Sequence, residues 1–179
     1  LRKSIPATAQ GMNVELPAAT INDYPRFAYR GMMLDVSRHF FPVDSVKTYL
    51  DILALHNQNT FHWHLSDNQG WRIEIKKYPE LTQIGSKRKE TVIGHNSGTY
   101  DGKEYGGFYT QDQIRDVINY AAERHITIIP EIDMPGHQLA ALATYPELGC
   151  TGGPYDVWGQ WGVADDVICA GNEKSMQCL

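Results

Sequence analysis

The order of the elements predicted for this 179-residue chain indicates an α/β fold built on a parallel sheet. Strand-like segments alternate with helix-like segments, as they do when helices connect neighbouring parallel strands. The last strand-like segment, Ile126–Ile132, is apolar almost throughout. Such a run is typical of a strand buried on both faces of a sheet that helices cover.

The first half of the chain predicts a strand, a helix and a second strand. Tyr29–Val36 is short and mostly apolar, so we expect a buried strand there. Asp44–His56 carries apolar residues at helical spacing, with Asp44 or Ser45 available as the N-cap. Thr60–Leu65 is rich in β-branched and aromatic residues, which favour a strand.

The second half predicts one more helix and one more strand. Ser66–Tyr109 has little periodicity, and a segment that long usually forms a functional surface. Thr110 and Gln113 have the spacing of a capping box that opens a helix, which leads into Ile126–Ile132. Cys150–Leu179 is expected to be loop, without a fourth strand.

The composition is that of an ordinary globular protein and argues against some partners. The chain is 42% hydrophobic and has a net charge of −5, and no cluster of Lys and Arg forms a basic stripe. Nucleic acid and anionic membranes are therefore not expected as partners, because both require a basic surface. No apolar run approaches the ~20 residues that a membrane span needs. The three cysteines form no Cys-x-x-Cys pair and give no disulfide framework.

Polar residues cluster just after each of the three predicted strands. In parallel α/β folds the carboxyl ends of the strands converge on the ligand site. Three clusters at these positions therefore predict a single pocket. The clusters are Asp35, Arg38 and His39; Asp67, Gln69, Trp71 and Arg72; and Glu131, Asp133 and His137.

Several of these residues have a structural alternative to a functional role. Arg38 could form an ion pair with Asp35, or its planar guanidinium could bind two neighbouring sugar hydroxyls. Asp67 could be a turn residue, since the surrounding Ser-Asp-Asn favours turns. His137 could cap a helix that begins near Gly136. Glu131 and Asp133, two residues apart on one strand face, are interpreted as supporting groups.

His62 and His64 alternate onto one face of the second strand. They could be metal ligands, but no Cys or adjacent acidic cluster completes a metal shell. We therefore interpret them as packed, hydrogen-bonded histidines. Aromatic side chains could stack on sugars, although large aromatic residues more often belong to the core. The candidates are Trp63, Trp71, Trp158 and Trp161.

Four segments resemble, in order, glycoside hydrolase family 20, the β-N-acetylhexosaminidases. The segments are YRGMMLDVSRHFFP, HWHLSDNQGWRIEI, GGFYTQDQI and IIPEIDMPGH, and the resemblance runs from about Asp23 to Glu173. It implies a partial (β/α)8 TIM barrel of about the first three β/α units. Residues 1–24 are expected to be the end of a preceding small α/β domain and a linker. Residues 25–179 are expected to be the N-terminal part of the catalytic domain, ending before the fourth strand.

The resemblance also implies roles for individual residues. Arg38 corresponds to the arginine that holds the C3 and C4 hydroxyls of the terminal sugar. Asp67 corresponds to the active-site aspartate that interacts with the catalytic histidine network. His137 corresponds to the histidine beside the catalytic acid, and Glu131 to the glutamate that supports this histidine.

The activity implied by the family is removal of terminal N-acetylglucosamine or N-acetylgalactosamine from β-linked oligosaccharides or glycoconjugates. In its retaining mechanism the substrate's own acetamido oxygen attacks the anomeric carbon. An Asp-Glu pair orients the acetamido group and supplies the general acid, and no metal or cofactor is expected. The substrates imply a secreted or periplasmic protein, although Leu1–Gln10 lack the pattern of a signal peptide.

The Asp-Glu pair itself is not found in the sequence. The family carries it in a Gly-Gly-Asp-Glu motif, whereas the doublet Asp165–Asp166 is interpreted as solvated surface. We therefore expect the chain alone to be inactive, and its unpaired strand edges to favour aggregation. Two alternatives remain open: a metal-dependent barrel hydrolase that uses His62, His64 and His137, and a non-catalytic sugar-binding relic.

Overall fold

The computed structural model describes residues 4–5 and 11–178. Residues 11–30 contain no helix or strand, and regular structure begins at Gly31. A short 3₁₀ helix lies at Pro146–Leu148. The other elements, in chain order, are β1 (Gly31–Asp35), α1 (Val43–Leu55), β2 (Thr60–His64), β3 (Ser66–Asp67), β4 (Gly70–Trp71), α2 (Glu80–Gln83), β5 (Lys87–Arg88), β6 (Tyr105–Gly106), α3 (Gln111–Ala122), β7 (Thr127–Glu131), α4 (Leu139–Leu142) and α5 (Glu173–Cys178).

The central sheet has the parallel order β1-β2-β7, which confirms the predicted α/β fold. The long helices α1 and α3 pack together over one face of this sheet, and the main core lies between them and the strands. Alternate strand residues supply this core because successive side chains point to opposite faces. Its buried members are Val36, Val46, Leu50, Leu53, Phe61, Trp63, Leu65, Tyr109, Val117, Ala121 and Ile126.

The prediction that Ile126–Ile132 forms a strand buried on both faces is wrong in its burial. β7 is an edge strand, and Ile129 is 41% exposed. On the other edge, Met33 of β1 is 50% exposed. Met33, His62 and Ile129 are register partners on the face opposite the main core. The apolar character of the run therefore predicts the strand correctly, but in this structure helices cover only one face.

The start of one helix and the presence of another also differ from the sequence-based expectation. α1 begins at Val43 with Pro42 as N-cap and no capping side chain, so neither Asp44 nor Ser45 is the cap. The chain near its end forms α5 where only loop was expected. The local signal for this helix is Asn172, whose Oδ1 accepts the backbone N–H of Lys174 at 3.0 Å. No helix in the described residues combines the length and the apolar character that crossing a membrane would need.

The capping box that opens α3 is confirmed. The hydroxyl of Thr110 accepts the backbone N–H of Gln113 at 3.2 Å. The side chain of Gln113 in turn accepts the N–H of Thr110 at 2.9 Å. The start of this helix is therefore determined by four consecutive residues.

Arg72 organises the segment between β2 and α3, where the sequence offered little periodicity. Its side chain is fully buried, and its three guanidinium nitrogens donate only to backbone carbonyls. Burial lowers the pKa of Arg72 to about 10, so it stays charged at neutral pH. The acceptors are the carbonyls of Val36 (3.0 Å), Ser37 (2.6 Å), Gln69 (3.4 Å), Ser86 (2.6 Å) and Gly107 (2.9 Å).

Gly70 is expected to tolerate no side chain, because Arg72 occupies the space that a Cβ would need. A Cβ built on Gly70 would lie 2.3 Å from Cζ of Arg72. We expect Gly70→Ala to lower the free energy of unfolding by about 2–3 kcal/mol, a typical cost of overpacking. Urea denaturation measures this, with Gly171→Ala as control, since no atom lies within 4 Å of a Cβ there. Equal unfolding midpoints for the two variants would contradict the prediction.

Candidate active site

The strand register aligns three ionisable side chains at the carboxyl end of the sheet. Asp35 of β1 pairs with His64 of β2, and His64 pairs with Glu131 of β7. Side chains at matched positions of neighbouring strands lie on the same face, so these three form one row. The row lies on the sheet face that the helices leave open, next to the loops that follow each strand.

Asp67 is the centre of a hydrogen-bonded network beside this row. Its Oδ2 accepts from Nη2 of Arg38 at 2.8 Å and contacts Nε2 of His64 at 2.9 Å. Its Oδ1 contacts Nδ1 of His137 at 3.1 Å and accepts the backbone N–H of Asn68 at 2.7 Å. Asp67 is 1% exposed. It is also the residue at which the tight turn between β3 and β4 begins, since it pairs with Gly70. The turn interpretation and the active-site interpretation of Asp67 are therefore compatible.

The charges of this network stabilise one another. Burial alone would raise the pKa of the Asp67 carboxyl. The hydrogen bonds from His64 and from the Asn68 backbone, together with the charge of Arg38, outweigh burial and lower that pKa. Asp67 is thus an anion that holds cationic and imidazole groups in fixed positions.

His64 is a buried imidazolium between two carboxylates. Its Nδ1 lies 2.8 Å from Oε2 of Glu131, and its Nε2 faces Asp67. Burial opposes its charge, but hydrogen bonds to Asp67 and Glu131 raise the pKa of His64 to about 9. The interpretation of His64 as a hydrogen-bonded core histidine is confirmed. His62, whose Nε2 lies 2.5 Å from the same Glu131 oxygen, is only partly buried.

The charge on His64 predicts a pH-dependent stability. The pKa of His64 is about 9 in the folded protein and about 6.5 in an unfolded chain. Its stabilisation is therefore fully present below pH ~6.5 and is lost as the pH rises through ~9. The difference of about 2.5 units corresponds to about 3 kcal/mol.

Urea denaturation at pH 6, 7.5 and 9 measures this loss. His64→Gln is the control, because a neutral side chain removes the titration and should flatten the profile across this range. The lowered pKa values of Asp67 and Glu131 act only under acidic conditions and leave the range untouched. A wild-type profile as flat as that of the variant would contradict the assignment.

Arg38 lies between two carboxylates, those of Asp35 and Asp67. Its Nη1 donates to Asp35 at 2.8 Å, and its Nη2 donates to Asp67 at 2.8 Å. Its Nε donates to Oε1 of Gln69 at 3.1 Å. The ion pair with Asp35 is therefore present, and it orients a side chain that is still 27% exposed. A guanidinium fixed in this way offers donors in a set plane to a ligand.

His137 is held by Asp67 rather than by Glu131. The carboxylate of Glu131 contacts His62 and His64. Glu131 is linked to His137 only through His64 and Asp67. His137 has a φ of +57°, an uncommon backbone conformation for a residue other than glycine. It does not cap a helix, since α4 begins at Leu139 with Gln138 as its N-cap.

The tryptophans fall into two groups. Trp63 and Trp71 are buried in the core clusters, and Trp158 packs against another such cluster. Trp161 is 51% exposed. Of the four candidates, Trp161 alone therefore offers an open ring for stacking on a ligand.

The geometry also changes the metal hypothesis. Within the described part of the chain, the ligand atoms that converge to within 4.8 Å belong to Asp67, Asp133 and His137. His62 and His64 do not join this group and contact Glu131 instead. The candidate metal set therefore retains His137 and replaces the two strand histidines with carboxylates.

The chain thus combines a parallel α/β sheet with a carboxylate–imidazole–guanidinium network at the carboxyl end of its strands. The chain matches the model of the glycosyl hydrolase family 20 catalytic domain over residues 27–179. The chain belongs to this family. Residues 1–26 lie outside the match.

The names of similar proteins are consistent with this family. A β-hexosaminidase of Porphyromonas gingivalis is 48% identical over 97% of this chain. One of Vibrio furnissii is 53% identical over 76% of the chain. Each match covers 22% of the relative, so the chain spans about a fifth of their length.

Solved structures of the family resemble the fold. The chain matches a β-N-acetylhexosaminidase crystal structure with a TM-score of 0.81 and 38% identity, over 87% of the chain and 32% of that protein. The family 20 β-N-acetylhexosaminidase of Streptomyces coelicolor gives a TM-score of 0.75 and 42% identity, over 86% of the chain and 29% of that protein.

Proposed function

We propose that this chain forms the sugar-holding part of the catalytic domain of a β-N-acetylhexosaminidase. The reaction is removal of a terminal, non-reducing N-acetylglucosamine or N-acetylgalactosamine from a β-linked glycan. The observation that carries the proposal is the orientation of Arg38 by Asp35 and Asp67 at the open end of the sheet. Two adjacent sugar hydroxyls match the parallel donors of a fixed guanidinium. Arg38 would hold the C3 and C4 hydroxyls.

In the proposed mechanism these residues position groups and do not attack the sugar. The acetamido oxygen of the substrate attacks the anomeric carbon, and the family's Asp-Glu pair orients that group and protonates the leaving oxygen. Asp67 would keep His137 beside that acid, and His64 and Glu131 would fix Asp67. The chain alone would then release no sugar from a fluorogenic N-acetylglucosaminide.

The domain assignment belongs to the same proposal. Residues 25–179 would form about the first three β/α units of a (β/α)8 barrel, and residues 1–24 would be the end of a preceding small domain. The parallel order β1-β2-β7, with α1 and α3 on one face, supports three such units. The open face of the sheet, with its charged row and with Met33 and Ile129, would line the barrel interior. A glycan-degrading role favours a secreted or periplasmic location.

A chimera tests the function directly. Residues 27–179 would replace the matching segment of the P. gingivalis β-hexosaminidase, which is 48% identical. We expect the chimera to hydrolyse 4-methylumbelliferyl N-acetyl-β-glucosaminide. Arg38→Ala should lower kcat/KM about 100-fold or more, because the loss of charged hydrogen bonds to the sugar costs about 3 kcal/mol.

The control for this chimera is Arg115→Ala. Arg115 is an exposed arginine that pairs with Asp112 on α3, which packs on the sheet face opposite the network. It should leave kcat/KM within twofold. Equal effects of the two substitutions would refute the role of Arg38.

The convergence of Asp67, Asp133 and His137 favours one second candidate, a metal-dependent hydrolase. Carboxylate and imidazole are suitable ligands for several divalent metals. A chelator separates the two functions, because a hexosaminidase of this family needs no metal. Loss of the chimera's activity in EDTA, restored by one divalent cation, would favour the metal-dependent reaction.

A further inference from the structure

A cavity of about 430 Å³ lies on one side of Arg38. This volume is within the range of small-molecule sites, roughly 300–1,000 Å³. Neither Asp67 nor His137 lines it, so it adjoins the network described above only through Arg38. Its principal side chains are those of Arg38, Gln69, Arg88, His95, Gln160 and Trp161.

Hydrogen bonds between distant segments fix the walls of this cavity. Asn96 and Trp161 make a reciprocal pair: Nδ2 of Asn96 donates to the Trp161 carbonyl at 3.0 Å, and the Trp161 N–H donates to Oδ1 of Asn96 at 3.0 Å. Gln160 accepts from Nε2 of Gln69 at its carbonyl (2.8 Å) and from the Tyr100 hydroxyl at its Oε1 (2.9 Å). The cavity is therefore a built site between two anchored loops.

Arg88 contributes a buried cation without a carboxylate partner. It is 5% exposed, and its Nε donates to Oγ1 of Thr91 at 2.9 Å. Its Nη1 donates to the carbonyls of Arg38 (3.0 Å) and Gln69 (3.3 Å), and its guanidinium carbon lies 4.4 Å from the ring centroid of Tyr105. Its Nη2 has no hydrogen-bond partner among the described residues.

The charge balance of the walls favours an anion. Arg38 is neutralised by Asp35 and Asp67, whereas Arg88 donates hydrogen bonds only to neutral groups. No carboxylate lines the cavity. Asp101 is the acidic residue whose charge acts on Arg88. Its carboxylate is exposed and accepts the backbone N–H groups of Thr91 and Lys103. A guanidinium with a free nitrogen is well suited to bind the oxygens of an oxyanion.

We propose that this cavity binds a sulfate or phosphate ester at C3 or C4 of the terminal sugar. The proposal rests on the proposed function, in which Arg38 holds the hydroxyls at those carbons. An N-acetylhexosamine has no carboxylate of its own, so an ester is the oxyanion that its hydroxyls can carry. Arg88 would bind the ester oxygens, and the exposed ring of Trp161 would cover the sugar edge.

Calorimetric titration of the chain tests this with methyl N-acetyl-β-galactosaminide and its 3-sulfate, 4-sulfate, 6-sulfate and 4-phosphate. We expect the 3- or 4-ester to bind at least about tenfold tighter than the parent sugar, a typical gain for charged hydrogen bonds. The 6-sulfate should gain less. The stronger of the 4-sulfate and the 4-phosphate identifies the ester.

Gln160→Glu is the decisive variant, because it adds a negative charge to the wall and keeps the acceptor for Tyr100. It should abolish the advantage of the ester over the parent sugar. Lys103→Gln, an exposed charge change in the same loop region, should alter neither Kd. Arg88→Lys, which keeps the charge, should retain part of the advantage.

The outcomes separate this proposal from the function on which it rests. If the parent sugar binds through Arg38 but no 3- or 4-ester binds tighter, the cavity proposal alone is overturned. A gain for the 6-sulfate alone, or a gain that survives Gln160→Glu, also overturns it. If no sugar binds at all, both proposals fail.

Discussion

Arg72→Met is expected to lower the free energy of unfolding by at least about 4 kcal/mol, a large part of the stability of a domain of this size. Arg72 is fully buried and donates to five carbonyls from four separate segments of the chain. Methionine fills a similar volume but leaves these carbonyls buried without donors, and each unsatisfied group costs about 1–3 kcal/mol. Urea denaturation at 25 °C measures the loss.

Two further variants isolate the role of the planar guanidinium. Arg72→Lys should restore little, because one ammonium cannot reach acceptors spread around a plane. Arg115→Met removes an arginine whose side chain is 61% exposed and paired with Asp112, and should cost no more than about 1 kcal/mol. If the curves for Arg72→Met and Arg115→Met coincided, Arg72 would not organise these segments.

Asp67→Asn is expected to lower kcat/KM of the chimera at least about 100-fold, equivalent to about 2.7 kcal/mol. The substitution keeps the size of the side chain but removes the charge that Arg38, His64 and His137 share. An amide has one acceptor oxygen and an NH2 that donates, so it cannot accept from all three, and Arg38 and His137 would lose their fixed positions. Misplaced groups reduce rate even when they do not react.

The matched control is Asp112→Asn, an exposed carboxylate of α3 with its own arginine partner. It should leave kcat/KM unchanged within twofold. The dependence of kcat/KM on pH adds a readout that a purely structural role would not change. Without the charge of Asp67, the pKa of His64 should fall, and the alkaline limb of this profile should shift to lower pH. An unaltered profile and rate would argue against Asp67 as a positioning residue.

Local signals in the sequence were sufficient to predict the three strands of the central sheet and the two long helices. The capping box of Thr110 and Gln113 involves four consecutive residues, so the start of α3 was predicted correctly. The three sheet strands were likewise predicted within two residues at each end. The short strands between Ser66 and Gly106 were not predicted, because Arg72 holds them through carbonyls up to 36 residues away.

The candidate site was predicted only in part, because some of its contacts depend on residues that are far apart in the sequence. Arg38, Asp67 and His137 follow strands, and parallel strands bring their carboxyl ends together. The central position of His64 depends on the register of β2 with both neighbours, which the sequence does not state. The cavity beside Arg38 depends on a hydrogen bond between Asn96 and Trp161, which are 65 residues apart. No periodicity in the sequence predicts that contact.

The row formed by Asp35, His64 and Glu131 also bears on which changes of chain length the protein can accept. Deleting one residue within β2 would rotate the strand by one position and exchange its two faces. His64 would then turn toward the helices, and Trp63 would enter the charged network. Insertions and deletions in the strands should therefore be far more damaging than point substitutions, whereas the exposed stretch around Gly98 and Gly102 has room for added residues.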